Sequence, residues 1–170
     1  PSFPEVGDSK PFYTEPMRDF AEQDQREAFG RAVESASVPS VANDHTPEQG
    51  LDMIAKANNA FPAWRDFDPI KRAEVLTRVA SKMRSRRDEL SAIVSKEARK
   101  IWPEADADVC EAIDFCEYYA RHAVQLFTRT RLGKFIGELD ELWYQPKGVA
   151  VVISPWNFPL AICCGMTVAA

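Results

Sequence analysis

Residues 149–159 read VAVVISPWNFP, and this stretch decides the fold expected for the chain. Its first five residues, Val149–Ile153, are apolar and mostly β-branched, which is typical of a strand buried on both faces of a parallel sheet. The apolar run Leu160–Ala170 predicts a buried helix that packs on this strand. Because strands alternating with helices build α/β folds, we predict an α/β protein whose main sheet starts at Val149.

One strand and one helix cannot complete such a sheet. The helix predicted over Leu160–Ala170 also reaches the last residue without a capping residue. We therefore expect the fold to be incomplete in this chain, and the chain to be the N-terminal part of a longer protein. Residues 149–170 alone would then expose a large apolar surface. A truncated product, a degenerate copy and a subset of a longer chain stay open as alternatives.

Upstream of residue 129 the sequence predicts helices. Residues 1–14 are rich in proline and predict an extended arm, and residues 17–36 carry a weak helical apolar stripe. Helix starts with proline at the first helical position follow at residues 46–47 (Thr-Pro) and 68–69 (Asp-Pro), with a third start at 102–103 (Trp-Pro). The third helix has the best amphipathic pattern, with apolar positions Val109, Ile113, Cys116, Ala120, Ala123 and Phe127.

Residues 129–148 differ from the helical part. Residues 129–134 are basic and contain a glycine, which predicts a loop. Residues 138–144 show partial alternation and aromatic side chains, which predict an edge strand. A Pro-Lys-Gly turn at residues 146–148 then leads into the stretch at 149.

The composition excludes several function classes. The chain has 170 residues, 45% of them hydrophobic, and a formal net charge of -5. These values are typical of a soluble globular domain, and the acidic charge argues against a nucleic-acid partner. We expect no membrane partner and a cytoplasmic location, because no run approaches the ~20 apolar residues of a membrane-spanning helix. A basic cluster at residues 82–87 predicts a solvated helix face.

Metal and nucleophile motifs are missing from the sequence. The cysteines and the two histidines lack the spacing of a zinc site, so we expect no metal. No glycine-rich phosphate loop or serine nucleophile motif occurs either. The adjacent Cys163 and Cys164 are predicted to be buried structural thiols. Carboxylates near the start of the third helix fit the positive end of its dipole, which explains most of them: Glu104, Asp106, Asp108 and Glu111.

Asn157 is the residue for which chemistry alone suggests a catalytic role. Prolines at 155 and 159 restrict the backbone on either side of it, at the carboxyl end of the predicted strand, where ligands bind in open α/β sheets. A fixed side-chain amide there can donate to an oxyanion that develops on a substrate carbonyl. Asn157 could equally cap the helix that follows. The residues alone leave both interpretations open.

The segment Val152–Ile162 resembles the Pro-Trp-Asn-Phe-Pro motif of the aldehyde dehydrogenase superfamily. The lead-in Tyr144–Val149 is similar to the aromatic-x-Pro-x-Gly-Val sequence of that family, and residues 57–64 and 72–76 are similar to its N-terminal helices. Residues 97–121 are further similar to 1-pyrroline-5-carboxylate dehydrogenases, which oxidise L-glutamate γ-semialdehyde to glutamate in proline catabolism. An aldehyde dehydrogenase-like fold and a homo-oligomer follow as expectations.

The resemblance implies a division of the chain and a set of site residues. It implies an arm and helix over 1–45, the helical part of an NAD-binding domain over 46–135, an oligomerisation-flap strand over 136–148, and the truncated start of the Rossmann-like core over 149–170. Asn157 would donate to the oxyanion of a thiohemiacetal formed by a cysteine nucleophile. NAD, with NADP as the alternative, would contact four residues: Ile153, Ser154, Pro155 and Trp156. The substrate would lie near Glu111 and Phe158.

The chain also departs from the family pattern. The family's nucleophilic cysteine and general-base glutamate lie downstream of residue 170, so we expect this piece alone to be inactive. Relatives have Glu-Val-Gly-Lys where this chain has Glu97–Lys100, without the loop-making glycine. A non-catalytic, truncated module that binds another protein is therefore the alternative function. A helical scaffold with an accidental motif match is a third, minor one.

Overall fold

Helices dominate the computed structural model, which describes residues 12–170. The first eleven residues, within the predicted arm, lie outside the described residues. Within 12–170 the helices are α1 (Gln23–Ser35), α2 (Pro47–Arg65), α3 (Pro69–Ser85), α4 (Arg87–Ala98), α5 (Trp102–Leu126) and α6 (Ala161–Ala169). The strands are β1 (Thr130–Arg131) and β2 (Glu141–Leu142), which pair antiparallel.

The predicted starts of α2 and α3 are confirmed. The Thr46 hydroxyl accepts from the Gln49 amide while the Gln49 side chain accepts from the Thr46 amide, a reciprocal capping box. The Asp68 carboxylate likewise accepts from the Ile70 amide at the start of α3. In both helices proline occupies the first turn, where its missing N–H leaves no broken bond.

Helix α5 is the centre of the core. It packs against α3, α4 and α6, while α1 packs on α4. The apolar positions predicted for it at Val109, Ile113 and Cys116 are fully buried, and Ala80 of α3 and Ala112 pack with them. The many buried alanines let the helix backbones approach closely, so this predicted amphipathic pattern is confirmed.

The N-terminal segment docks on α4 and α5 through both aromatic and charged side chains. Helix α1 begins later than the predicted residue 17, and its fully buried Phe29 packs edge-on against Trp102 with ring centroids 5.3 Å apart. Ahead of it, the Arg18 amide donates to the Asp106 carboxylate at 2.8 Å. The Glu15 amide donates to Asp114 at 2.7 Å. The arm, taken from here on as the chain ahead of α1, is therefore tied to the core from residue 15 onward.

Two interpretations of charged residues need correction. The basic cluster at 82–87 is only partly solvated, because Arg87 makes a bidentate pair with the buried Asp106 at 2.6 and 2.8 Å. Arg84 similarly bridges Glu15 and Glu117 at 2.8 and 2.7 Å. Asp106 is thus a buried ion-pair partner, and the helix dipole that the sequence suggested is not its only favourable interaction. Charged side chains are rarely fully buried unless an opposite charge pairs with them, because burial removes their contact with water.

Between the helix starts predicted at residues 68–69 and 102–103 the chain forms two helices, α3 and α4, rather than one. The backbone leaves helical geometry at Arg86, where φ is -115° and ψ is 16°. At its other end α4 stops at Arg99, whose φ of 57° and ψ of 34° lie in the left-handed region. Glycine is the usual residue in that conformation because it has no Cβ to clash. Arg99 thus occupies the position at which the resemblance led us to expect a loop-making glycine.

The strand prediction for Val149–Ile153 is wrong for this chain. These residues are not paired with any strand among residues 12–170, and Val151 is 72% exposed. A strand needs a hydrogen-bonded neighbour, and the short β1 and β2 pair only with each other. The predicted loop at 129–134 supplies β1, and the predicted edge strand at 138–144 is reduced to β2.

The segment after Pro159 forms a helix as expected. Helix α6 packs on α5, and Ala161, Cys164 and Gly165 are buried in this contact. Residues 149–151 instead border an open apolar groove of about 510 Å³ against α2. Helix α2 has no buried residue. The apolar surface expected of an incomplete fold is therefore present.

In residues 12–170 no helix is long and apolar enough to cross a membrane.

Candidate active site

The turn that carries Asn157 is held against the junction between α4 and α5. Residues 156–160 form the turn, and α6 begins at Ala161 directly after it. The Ala161 amide donates to Oδ1 of Asp108 at 2.7 Å. Because the Asp108 side chain is fully buried on α5, this bond connects the end of the turn to the central helix of the fold.

Lys100 completes this anchor. Its ammonium donates to Oδ2 of Asp108 at 2.8 Å, and its Nζ lies 4.1 Å from the centre of the Phe158 ring. A cation at that distance over an aromatic face is attracted by the ring quadrupole. Lys100 is only 13% exposed. One buried carboxylate and one nearly buried ammonium therefore contact residues on both sides of Pro159.

Asn157 does not cap the helix that follows it. The first amide of α6 is bound by Asp108, and α6 has no side-chain cap of its own. Within residues 12–170 the Asn157 side chain makes no hydrogen bond, and it is exposed to a neighbouring cavity. The helix-cap interpretation of Asn157 is therefore wrong, and its amide remains able to donate to a ligand.

A cavity of about 340 Å³, here called the Asn157 cavity, brings together the predicted oxyanion donor and both predicted substrate residues. Asn157 and Phe158 line it from the turn and Glu111 from α5. The remaining lining residues are Lys100, Glu104, Ala107 and Asp108. Burial raises the pKa of Glu111, and the charge of Asp108 raises it further, while Lys100 opposes both. The cavity thus combines a neutral amide with a carboxyl group and an aromatic face.

A second cavity, the Trp156 cavity, lies on the other side of the turn. It has a volume of about 540 Å³, and three of the four predicted cofactor residues line it: Ser154, Pro155 and Trp156. The end of α4, including Arg99, forms the opposite wall. The fourth predicted residue, Ile153, is 83% exposed and does not line this cavity. Trp156, 85% exposed, presents an open aromatic face.

Lys100 and Asp108 were not predicted as a pair from the sequence. Asp108 was interpreted as a helix-dipole carboxylate, although it lies three residues after the buried Ala105 and four before the buried Ala112. A carboxylate on the buried stripe of an amphipathic helix is the signal that predicts a buried ion pair. Lys100, just ahead of the helix, was the nearest available cation.

The cysteines do not supply a nucleophile motif here. Cys110, Cys116 and Cys164 are buried, and burial raises the pKa of the Cys110 thiol to about 11. Cys163 is exposed, so the expectation that both adjacent thiols are buried is correct only for Cys164. In the part of the chain that the structure describes, no cluster of side chains has the composition of a metal site.

Comparisons with known proteins show the family to which the chain belongs. The family model described as "Aldehyde dehydrogenase family" matches residues 24–170. The chain is 46% identical over 146 residues to 1-pyrroline-5-carboxylate dehydrogenase 2 of Bacillus subtilis. The matched region covers 86% of this chain and 26% of that protein. The chain is 38% identical over 192 residues to the 1-pyrroline-5-carboxylate dehydrogenase of Bacillus licheniformis, covering 94% and 37%. The chain thus spans well under half the length of these relatives.

Solved structures have the same fold over this region. Proline utilization A from Bdellovibrio bacteriovorus, inactivated by N-propargylglycine, superposes with a TM-score of 0.87 at 34% identity, over 93% of this chain and 20% of that one. 1-Pyrroline-5-carboxylate dehydrogenase from Thermus with bound NAD gives 0.82 at 32% identity, over 94% and 37%. The resemblance found at Val152–Ile162 is therefore confirmed along most of the sequence, and this chain belongs to the aldehyde dehydrogenase family.

Proposed function

We propose that this chain is the N-terminal part of an NAD-dependent aldehyde dehydrogenase that oxidises L-glutamate γ-semialdehyde to glutamate. Family membership and the similarity to 1-pyrroline-5-carboxylate dehydrogenases support the reaction class and the substrate. The observation that carries the proposal is the placement of Asn157. Its amide has no partner among the described residues and opens into the same cavity as Glu111 and Phe158.

In this proposal a cysteine of the full-length protein attacks the aldehyde carbon and forms a thiohemiacetal. The carbonyl oxygen becomes an oxyanion, and the Asn157 amide donates a hydrogen bond to it. A neutral donor held by a fixed turn needs no reorganisation as that charge develops. Asn157 thereby acts on the transition state more than on the bound substrate.

The cavities suggest where substrate and cofactor bind. The Asn157 cavity would take the substrate, with Glu111 facing its ammonium group and Phe158 its methylene chain. The Trp156 cavity would take the nicotinamide and ribose end of NAD, which accepts the hydride, against Ser154, Pro155 and Trp156. Ile153 would contact NAD only if the sheet of the full-length protein brings it closer. NAD bound to the Thermus relative supports a nicotinamide cofactor, and we propose NAD with NADP as the alternative.

Further parts of the proposal concern the whole protein. We propose a cytoplasmic homo-oligomer that takes part in proline catabolism. The names of the relatives support the pathway, and four free cysteines within the described residues are typical of a reducing compartment. Residues 46–135 and 149–170 would belong to the NAD-binding domain and residues 136–148 to the flap.

The experiment that tests the catalytic role is Asn157→Ala in the full-length protein that contains this chain. We expect kcat to fall by about 10²–10³-fold with NAD affinity nearly unchanged, because one oxyanion donor is lost. Asn58→Ala on the exposed surface of α2 is the matched control and should leave kcat unchanged. An unchanged kcat in Asn157→Ala would remove the oxyanion assignment.

A second measurement tests the substrate. Glu111→Gln should lower kcat/KM for glutamate γ-semialdehyde more than for an uncharged aldehyde of similar length, because only the former has an ammonium group to pair. Equal losses for both aldehydes would contradict this role for Glu111. A full-length protein with no aldehyde oxidation at all would instead favour the non-catalytic module.

A further inference from the structure

The Lys100–Asp108 pair, here called the clamp, touches the turn at two points, one before and one after Pro159. Lys100 contacts the Phe158 ring, and Asp108 binds the Ala161 amide at the end of the turn. Asn157 is the residue directly before the first contact and lies four residues before the second. The clamp therefore restrains the short segment that carries the Asn157 amide.

Neither member of the clamp can do this alone. Asp108 is fully buried and Lys100 is 13% exposed, so each charge depends on the other for compensation. Removing one partner of a buried pair leaves an uncompensated charge that draws in water or moves toward solvent. For Asp108 such a movement would break the bond to the Ala161 amide. The position of the turn is thus sensitive to the charge of a residue outside it.

We propose that Lys100 and Asp108 are positioning residues that set the location of the Asn157 amide in the Asn157 cavity. This inference rests on the proposed function, since the amide has to meet an oxyanion for its position to matter. Both residues also line the Asn157 cavity, but in the proposal neither contacts the reacting atoms, and both act through the turn. A misplacement of about 1 Å at a catalytic group can lower a rate by about 100-fold.

The matched control is the other buried pair on α5, Arg87 with Asp106. Arg87 is 16% exposed and Asp106 is 1% exposed, so its burial is close to that of the clamp. Asp106 binds the Arg18 amide of the arm, and neither residue of this pair lines the Asn157 cavity. Asp106 also lies 4.0 Å from the Arg18 guanidinium, so Arg87→Met removes one of two nearby cations. A purely structural effect of breaking a buried pair should still appear at both sites, whereas a positioning effect should appear only at the clamp.

The test uses the full-length protein with the single change Lys100→Met, the double change Lys100→Met with Asp108→Asn, and Arg87→Met. We expect Lys100→Met to lower kcat by about 100-fold with NAD affinity nearly unchanged. The double variant should return kcat to within about tenfold of wild type, because the neutral asparagine side chain still accepts from the Ala161 amide and buries no charge. Arg87→Met should leave kcat within a few-fold of wild type.

Hydrogen exchange provides a readout that does not depend on activity. The Ala161 amide is buried and bonded, so it should exchange slowly in wild type, faster in Lys100→Met, and slowly again in the double variant. If Lys100→Met keeps both kcat and slow exchange, or if Arg87→Met lowers kcat as much, the proposal is overturned. If wild type oxidises no aldehyde, the proposed function fails, and the exchange pattern still decides whether the clamp holds the turn.

Discussion

Replacing Gly165 with alanine should loosen the contact between α6 and α5. A Cβ built on Gly165 would lie 2.7, 2.8 and 3.0 Å from three carbon atoms of the Phe115 ring. The optimal carbon–carbon separation is about 3.5–4.0 Å, so the whole ring has to shift. Phe115 is stacked on Tyr119 at 5.9 Å with an interplanar angle of 6°, which leaves it little freedom to do so.

The size of the effect follows from two opposing contributions. Forcing an extra methyl group into a packed contact costs about 1–3 kcal/mol. Alanine in place of glycine inside a helix contributes about 0.5–1 kcal/mol of stability in the other direction. The net loss should be about 1 kcal/mol, which corresponds to roughly fivefold faster exchange of α6 amides that open locally.

Gly30→Ala in α1 is the control that separates the two contributions. There the added Cβ would meet the nearest atom, on Trp102, at 3.6 Å, which is an ordinary contact. Only the higher helix propensity of alanine then acts, which stabilises α1, so the exchange of α1 amides should slow by about threefold. The assay is hydrogen exchange resolved by peptide on both variants and wild type. Unchanged or slower exchange of α6 in Gly165→Ala would refute the steric argument.

Two further predictions concern backbone strain and pH. Arg99→Gly should raise stability by about 1 kcal/mol because Arg99 holds a left-handed φ of 57°, whereas Arg99→Ala keeps the Cβ and should give no gain; equal thermal midpoints for the two variants would argue against strain. Burial tends to raise the pKa of Asp106, but hydrogen bonds from Arg87 and the Arg18 amide outweigh it and hold that pKa below its ordinary value. The ionised Asp106 therefore stabilises the fold fully above the unfolded-state pKa of about 3.9, and this stabilisation is lost as the pH falls through the lower folded-state pKa. Acid titration should therefore release the arm, which hydrogen exchange of the Arg18 amide would measure. Asp106→Asn should flatten this pH dependence, and an arm that remains protected below both pKa values would contradict it.

The sequence predicted the helices well because their signals are local. Thr46 and Asp68 cap α2 and α3 as expected, and the apolar spacing of α5 corresponds to its buried face. Each of these signals lies within a few residues of the element it defines. The break at Arg86 was missed, since no glycine or proline marks it.

Elements that depend on distant partners could not be predicted in this way. Val149–Ile153 has the composition of a buried strand, yet a strand forms only when another strand hydrogen-bonds to it, and none does so in residues 12–170. Asp106 and Asp108 were explained by the helix dipole, and their ion pairs were missed because the paired cations lie 19 and eight residues earlier, outside α5. Spacing patterns describe one helix and contain no information about which arginine or lysine faces it.

In the candidate site, too, short motifs predicted the residues, whereas the contact that orients them could not be predicted. The Pro-Trp-Asn-Phe-Pro motif pointed to Asn157 and Phe158, and the resemblance of residues 97–121 pointed to Glu111; the structure brings all three to one cavity. What orients the turn is a contact between α5 and the start of α6, separated by 53 residues. Only the folded arrangement reveals that contact.

The clamp also constrains how this part of the chain can diverge. Because the Lys100 ammonium and the Asp108 carboxylate compensate each other inside the protein, a change at either position alone would be harmful, while a simultaneous change to two neutral side chains would be tolerated. Among homologous sequences, positions 100 and 108 should therefore vary together, either both charged or both neutral. The exposed Arg86–Glu89 pair at the start of α4 is free of this restriction, and its two positions should vary independently.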